Sequence, residues 1–147
     1  MTEATSKITL LCARWVIPVV PDGVVLEHHA VAISDCAITD VLPQSAAAER
    51  YPDATAVNLP DHVLIPGLIN LHTHAAMTLM RGMADDLPLM TWLQNHIWPV
   101  ESRVTSAEFV RDGSLLACAE MLRGGVTCFN DMYFFPEATA QAALQAG

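Results

Sequence analysis

The chain has 147 residues, which by length alone is about one domain, and its 7 basic against 16 acidic side chains leave a net charge of −9 at pH 7. That balance repels phosphate backbones and anionic lipid surfaces, and no Lys/Arg stripe is present to gather counterion-release affinity, so nucleic acid and membrane are excluded as partners. With 52% hydrophobic and only 16% charged residues, the chain holds far more apolar material than a disordered segment and can bury a sizeable core.

From the N-terminus, Ile8 to Ala13 is too short an apolar run before Arg14 to act as a secretory signal. Arg14, Asp22, Glu27 and later charges interrupt every candidate spanning helix, so a cytoplasmic address is expected. Short β-rich runs follow: Ile8 to Ala13, Val24 to His28, Ala30 to Ser34, Ala37 to Leu42 and Ala56 to Leu59. Pro18, Pro21-Asp22-Gly23, Ser34-Asp35, Pro43 and Pro52-Asp53 punctuate them. The pattern predicts a small antiparallel β unit. Its Asp35-Cys36 turn lacks the glycine a tight hairpin prefers.

Near residue 65 the pattern changes. Val63 to Asn70 is a nearly uninterrupted apolar run containing a Pro-Gly pair, which predicts a strand buried on both faces. Thr105 with Glu108 reads as a capping box, opening a helix over Ala107 to Arg123 that Gly124-Gly125 stops. Val126 to Asp131 is the next strand, and Pro136 to Gln145 opens another helix with Pro-Glu. Strand, helix, strand, helix is the alphabet of an α/β fold with a parallel sheet. Residues 1–62 are therefore expected to form part of a small β domain, and residues 63–147 two βα units of an α/β fold, which the resemblance below places as the first units of a barrel. A closed (β/α)₈ barrel takes about 250 residues, so this chain is expected to be the front part of a longer polypeptide, or a fragment whose partner is absent. Cys12, Cys36, Cys118 and Cys128 form no CxxC pair and lie in apolar surroundings, which predicts reduced core thiols.

Chemistry concentrates in Pro66-Gly67-Leu68-Ile69-Asn70-Leu71-His72-Thr73-His74. Residues two apart on a strand point the same way, so His72 and His74 project together from its carboxyl end, where parallel α/β sheets place their sites. Neutral imidazole suits Zn²⁺, Fe and Co, and two of them can share one cation. On the residues alone, two hydrogen-bonded structural histidines explain the pair as well.

The string LIPGLINLHTHAAMTLMRG, with WLQNHIWPVE and GGVTCFNDMYF after it, resembles the amidohydrolase superfamily, in particular its branch of 5′-methylthioadenosine/S-adenosylhomocysteine deaminases. The resemblance implies a TIM-like barrel preceded by a small β-sandwich unit. It makes His72 and His74 ligands of one divalent ion, Zn²⁺ first and Fe²⁺ second. Glu101 becomes the carboxylate that accepts hydrogen bonds from the ribose hydroxyls, and Trp92 a wall of the nucleoside pocket. Hydrolytic deamination of a small nucleoside to the inosyl product and ammonia is the chemistry implied, by a homodimer or larger homo-oligomer. The remaining ligands and the proton shuttle are expected beyond residue 147, so this segment alone should be inactive. Arg81 is expected to anchor a loop, His96 to be structural or to support the ligands, and Asp131 to orient ligands or serve structure. Asp85-Asp86 reads as a solvated turn. Two other readings remain open: the same machinery acting on guanine, cytosine or a chlorinated triazine, and a non-catalytic piece with structural histidines.

Overall fold

A computed structural model describes residues 7–147 and divides the chain into two compact units, Met1–Pro66 and Gly67–Gly147. The first is a four-stranded sheet in the order β3-β2-β1-β4, built from β1 (Ile8–Val16), β2 (Leu26–Ser34), β3 (Ala37–Pro43) and β4 (Thr55–Leu64). Alternation along the strands gives two apolar faces. Leu10, Ala30 and Ala32 lie on one, against Ala47 of helix α1 (Gln44–Arg50), while Ala13, Val16 and Val31 lie on the other with Leu59 and Leu64. Alanines under α1 let the helix sit close to the sheet.

Several expectations are corrected here. The unit is not purely antiparallel, because β4 pairs with β1 in parallel, its return made through the β2–β3 hairpin and α1. Gln44 ties that crossover to the sheet by donating to the Ala13 carbonyl at 2.9 Å. The two runs predicted around His28 and His29 are one strand, in which His28 adopts a φ of 49° without shifting the register. The Asp35-Cys36 hairpin turns without glycine because Asp35, at φ 52°, tolerates the left-handed region. Strand β4 runs on past Leu59: Pro60, Asp61 and His62 bulge out between the Leu59 and Val63 pairings, as a proline at a sheet edge requires. Helix α1 went unforeseen, although Ala46-Ala47-Ala48-Glu49-Arg50 is strongly helix-forming and Pro52 forces Tyr51 out of the helical region.

The thiols also differ from expectation. All four are free, but only Cys118 is buried; Cys12 is half-buried, and Cys36 and Cys128 are exposed. Cys36 is exposed because it occupies the hairpin turn. Burial pushes the Cys12 and Cys118 thiols above their ordinary value, reducing their thiolate fraction. At about pH 8, iodoacetamide is therefore expected to alkylate Cys36 more than about tenfold faster than Cys118. Peptide mass spectrometry after a timed quench reads the ratio, and equal rates would contradict the burial assigned to Cys118.

The second unit holds a two-stranded parallel sheet, β5 (Leu68–Thr73) beside β6 (Val126–Asp131). The long helix α4 (Ala107–Arg123) makes the crossover, and α5 (Pro136–Ala146) follows β6. Helix α4 starts and stops where the sequence predicts, except that Ser106 is its N-cap: the Ser106 hydroxyl accepts from the Phe109 N–H, displacing Thr105 from that role. Gly125, at φ 80°, reverses the chain at the other end and its carbonyl accepts from the Leu68 N–H at 2.8 Å. The apolar run from Val63 to Asn70 is not one strand, since β4 ends at Leu64 and β5 begins at Leu68. Nor is β5 buried on both faces: Ile69 is 64% and Leu71 75% exposed. Two strands and one layer of helices cannot cover a strand made to be flanked on all sides. The Pro-Gly pair acquires a reason too, because a Cβ at Gly67 would collide with the Thr127 side chain on β6.

Candidate functional site

His72 and His74 lie at the carboxyl end of β5, on the same side of the strand. Their rings are 5.4 Å apart between centroids and 12° from parallel. Both are exposed, and neither imidazole makes a hydrogen bond among the described residues. Among the described residues their ring nitrogens are not engaged by protein partners. The donor set fits one divalent ion of the zinc type. Among the described residues no third His, Cys, Asp or Glu joins them, so the chain offers part of a ligand set.

A cavity of about 520 Å³ opens beside the pair and is lined by His74, Trp92, Glu101 and Tyr133 together with apolar side chains. Trp92 and Glu101 come from one continuous helical stretch, in which α2 (Leu89–Trp92) passes through a π-helical turn (Leu93–Ile97) into α3 (Trp98–Val104). In a regular α-helix, nine residues at about 100° each would put Glu101 on the face opposite Trp92. The wider turn takes back roughly a quarter of a revolution and swings Glu101 toward the cavity. Its cause is local. Pro99 has no N–H to give and its ring crowds the preceding turn, so the Trp98 N–H bonds instead to the Leu93 carbonyl, five residues back. Trp92 is half-buried, and its indole N–H reaches the Met83 carbonyl at 3.4 Å.

Glu101 is held across the cavity by Tyr133, whose hydroxyl donates to Oε1 at 2.7 Å. Burial, and then the contact with Glu101, hold the Tyr133 phenol well above its usual pKa, so it stays a protonated donor. The Tyr133 ring is also 5.8 Å from that of His74 and packs edge-on against Phe134 at 5.0 Å. No motif spacing links Tyr133 to Glu101, 32 residues earlier, so the sequence carries no signal for this contact.

Asp131 is fully engaged by hydrogen bonds. Its Oδ1 accepts from the Ala75 N–H at 2.7 Å and its Oδ2 from the Thr139 hydroxyl at 3.2 Å, so both oxygens are engaged. It thereby stitches the end of β6 to the residue that follows His74. Arg81 anchors its loop through a bidentate pair with Glu120 on α4, at 2.8 and 2.5 Å. The pairing lowers the Glu120 pKa, and both groups remain on the surface. His96 is half-buried within the π-helical turn, and Asp85 and Asp86 are exposed. A larger cavity, about 680 Å³, lies among α4, β6 and α5, but it is mainly apolar and contains no imidazole. Of the sequence-predicted residues, His74, Glu101 and Trp92 converge on one cavity, with His72 stacked at its edge. No helix among the described residues is long and apolar enough to cross a membrane.

Comparisons with known proteins bear on this arrangement. The model of the amidohydrolase family matches residues 63–147. Relatives named 5-methylthioadenosine/S-adenosylhomocysteine deaminase from Saccharophagus degradans and Teredinibacter turnerae are 51% and 50% identical over all 147 residues. The chain spans about a third of the length of each (33%). A crystal structure described as an adenosine deaminase from Xanthomonas campestris with bound zinc superposes with a TM-score of 0.90 at 55% identity, covering 93% of this chain and 31% of that one. Atrazine chlorohydrolase from Arthrobacter aurescens, complexed with zinc, shares the fold at 21% identity and a TM-score of 0.81, over 93% of this chain and 33% of its own. The family match covers more than half of the chain, including both histidines and the whole cavity lining, and the chain belongs to the amidohydrolase family.

Proposed function

We propose that the full-length protein is a metal-dependent hydrolytic deaminase of adenosine-type nucleosides, S-adenosylhomocysteine or 5′-methylthioadenosine, yielding the inosyl product and ammonia. In this reading residues 1–62 belong to the small β domain, and residues 63–147 are the first βα units of a (β/α)₈ barrel. One observation carries the proposal: a single cavity joins an imidazole of the His72-His74 pair to an oriented carboxylate. The two histidines would hold one divalent cation, Zn²⁺ by the chemistry of the donors and by the two zinc-bearing structures that share the fold. When bound, the cation activates water for attack on the purine carbon carrying the amine.

The chain's own residues account for binding. Glu101 offers acceptor sites to a vicinal diol, where hydrogen bonds to an ionised carboxylate are the strong ones. Trp92 presents a flat apolar surface to a purine. A cavity of about 520 Å³ is within the range that encloses small-molecule ligands. Further ligands and the proton-transfer group would come from the two thirds of the relatives' length that this chain does not span, which leaves the segment by itself without turnover.

Ammonia release by the zinc-loaded full-length protein tests the activity. Adenine nucleosides should be consumed, with the absorbance shift of adenine to hypoxanthine; no ammonia from any of them would overturn the proposal. Glu101→Gln is expected to raise KM for the ribonucleosides by about ten- to a hundredfold, the loss of one or two hydrogen bonds to a charged group. Its effect on free adenine should be under about twofold, since that ring has no diol to lose. Equal losses on both substrates would remove Glu101 from the ribose.

A further inference from the structure

Glu101 is only as useful to a diol as its orientation is fixed. A free glutamate side chain samples many rotamers, and freezing them on binding costs conformational entropy. In this structure the freezing is already done: Tyr133, from the segment after β6, donates to Oε1 at 2.7 Å. Tyr133 is itself held, its ring packed against His74 and edge-on to Phe134. A carboxylate has about four lone-pair sites; one goes to the phenol and about three remain, enough for two ribose hydroxyls. The same ring touches the metal-binding end of the cavity through His74. It therefore spans the two ends that a nucleoside would occupy, the base and the sugar.

We propose that Tyr133 is a positioning residue for sugar recognition: it acts through Glu101 and makes the site selective for nucleosides bearing a free 2′,3′-diol. This deepens the deaminase reading and rests on it. Tyr133→Phe keeps the ring and its contacts with His74 and Phe134, and removes only the hydroxyl.

The test measures ammonia release by the zinc-loaded full-length protein with adenosine and with 2′,3′-dideoxyadenosine, in the parent, Tyr133→Phe, Glu101→Gln and double-variant forms. For adenosine, Tyr133→Phe is expected to raise KM by at least about tenfold while kcat changes less than about twofold, the signature of lost binding rather than lost chemistry. For the dideoxynucleoside, kcat/KM should be the same in parent and variant. In the Glu101→Gln background the second substitution should add less than about twofold, because the carboxylate it orients is gone. A loss that is equal on both nucleosides, or that persists in full without Glu101, overturns the assignment. Zinc content and thermal midpoint, measured alongside, should match the parent in Tyr133→Phe, since only a surface hydroxyl of the cavity is removed. Absence of ammonia from parent protein and adenosine would instead strike the deaminase reading itself.

Discussion

His72→Asn and His74→Asn, each made in the full-length protein, are expected to lower kcat by at least about 10³-fold and to leave well under one equivalent of zinc after desalting. The size follows from what one ligand does. On the proposed reading, losing an imidazole would weaken the cation's hold and remove the field that makes water a nucleophile, an effect of several kcal/mol at about 1.4 kcal/mol per decade of rate. Asparagine is the informative replacement because it keeps a polar side chain of moderate size. Were the histidines structural, the variants would lose stability and keep their metal. The ligand reading rests on two rings that are exposed, stacked at 5.4 Å, and without hydrogen bonds among the described residues. Elemental analysis and ammonia release decide between these outcomes. Near-stoichiometric zinc with unchanged turnover would end the ligand assignment. Excess zinc should restore part of the activity if only affinity was lost.

Gly113→Ala is expected to be the most damaging substitution outside the cavity. Gly113 is buried on α4 where the helix crosses the 3₁₀ turn Ala75–Met80, and a Cβ there would lie 2.6 Å from the Ala76 carbonyl oxygen and 2.8 Å from its Cα. These are backbone atoms, so the clash cannot be relieved by turning a side chain. Either α4 or the 75–80 turn must move, at a cost of about 1–3 kcal/mol. The turn begins one residue after His74, and Asp131 fixes its first N–H, so the strain should reach the site. A lowered thermal midpoint together with reduced kcat is therefore expected in the full-length protein. Gly124→Ala is the control. Gly124 sits at φ −84° and its added Cβ finds nothing nearer than 3.4 Å, so the same substitution there should be neutral or slightly stabilising. If Gly113→Ala unfolds no sooner than Gly124→Ala, the packing of α4 on Ala76 is not as described.

Legibility differed from one element to the next. Helix α4 and strand β6 follow the sequence closely because their signals are short-range: a polar cap (read one residue early, at Thr105 rather than Ser106), a run of helix formers, a Gly-Gly stop and a β-rich hexamer. Strand direction in the first unit was less legible. The parallel pairing of β1 with β4 spans about fifty residues, and nothing local in Ala56 to Leu59 says which neighbour it will join. Exposure was misjudged where it depends on partners, as for Cys36 and Cys128, whose apolar neighbours in sequence are not their neighbours in space.

The site divides in the same way. The His-x-His pairing follows from the two-residue repeat of a strand, so the covalent chain alone was enough to aim both rings to one side. Resemblance added Glu101 and Trp92 as names without a geometry. Only the folded chain set them on a common cavity, through a π-helical turn forced by Pro99, and only the folded chain brought Tyr133 to Glu101. A repeat along one strand is a property of bonds and sterics and can be read from adjacent letters. Meetings between segments thirty residues apart depend on packing and on the register of a whole helix, which no local pattern encodes.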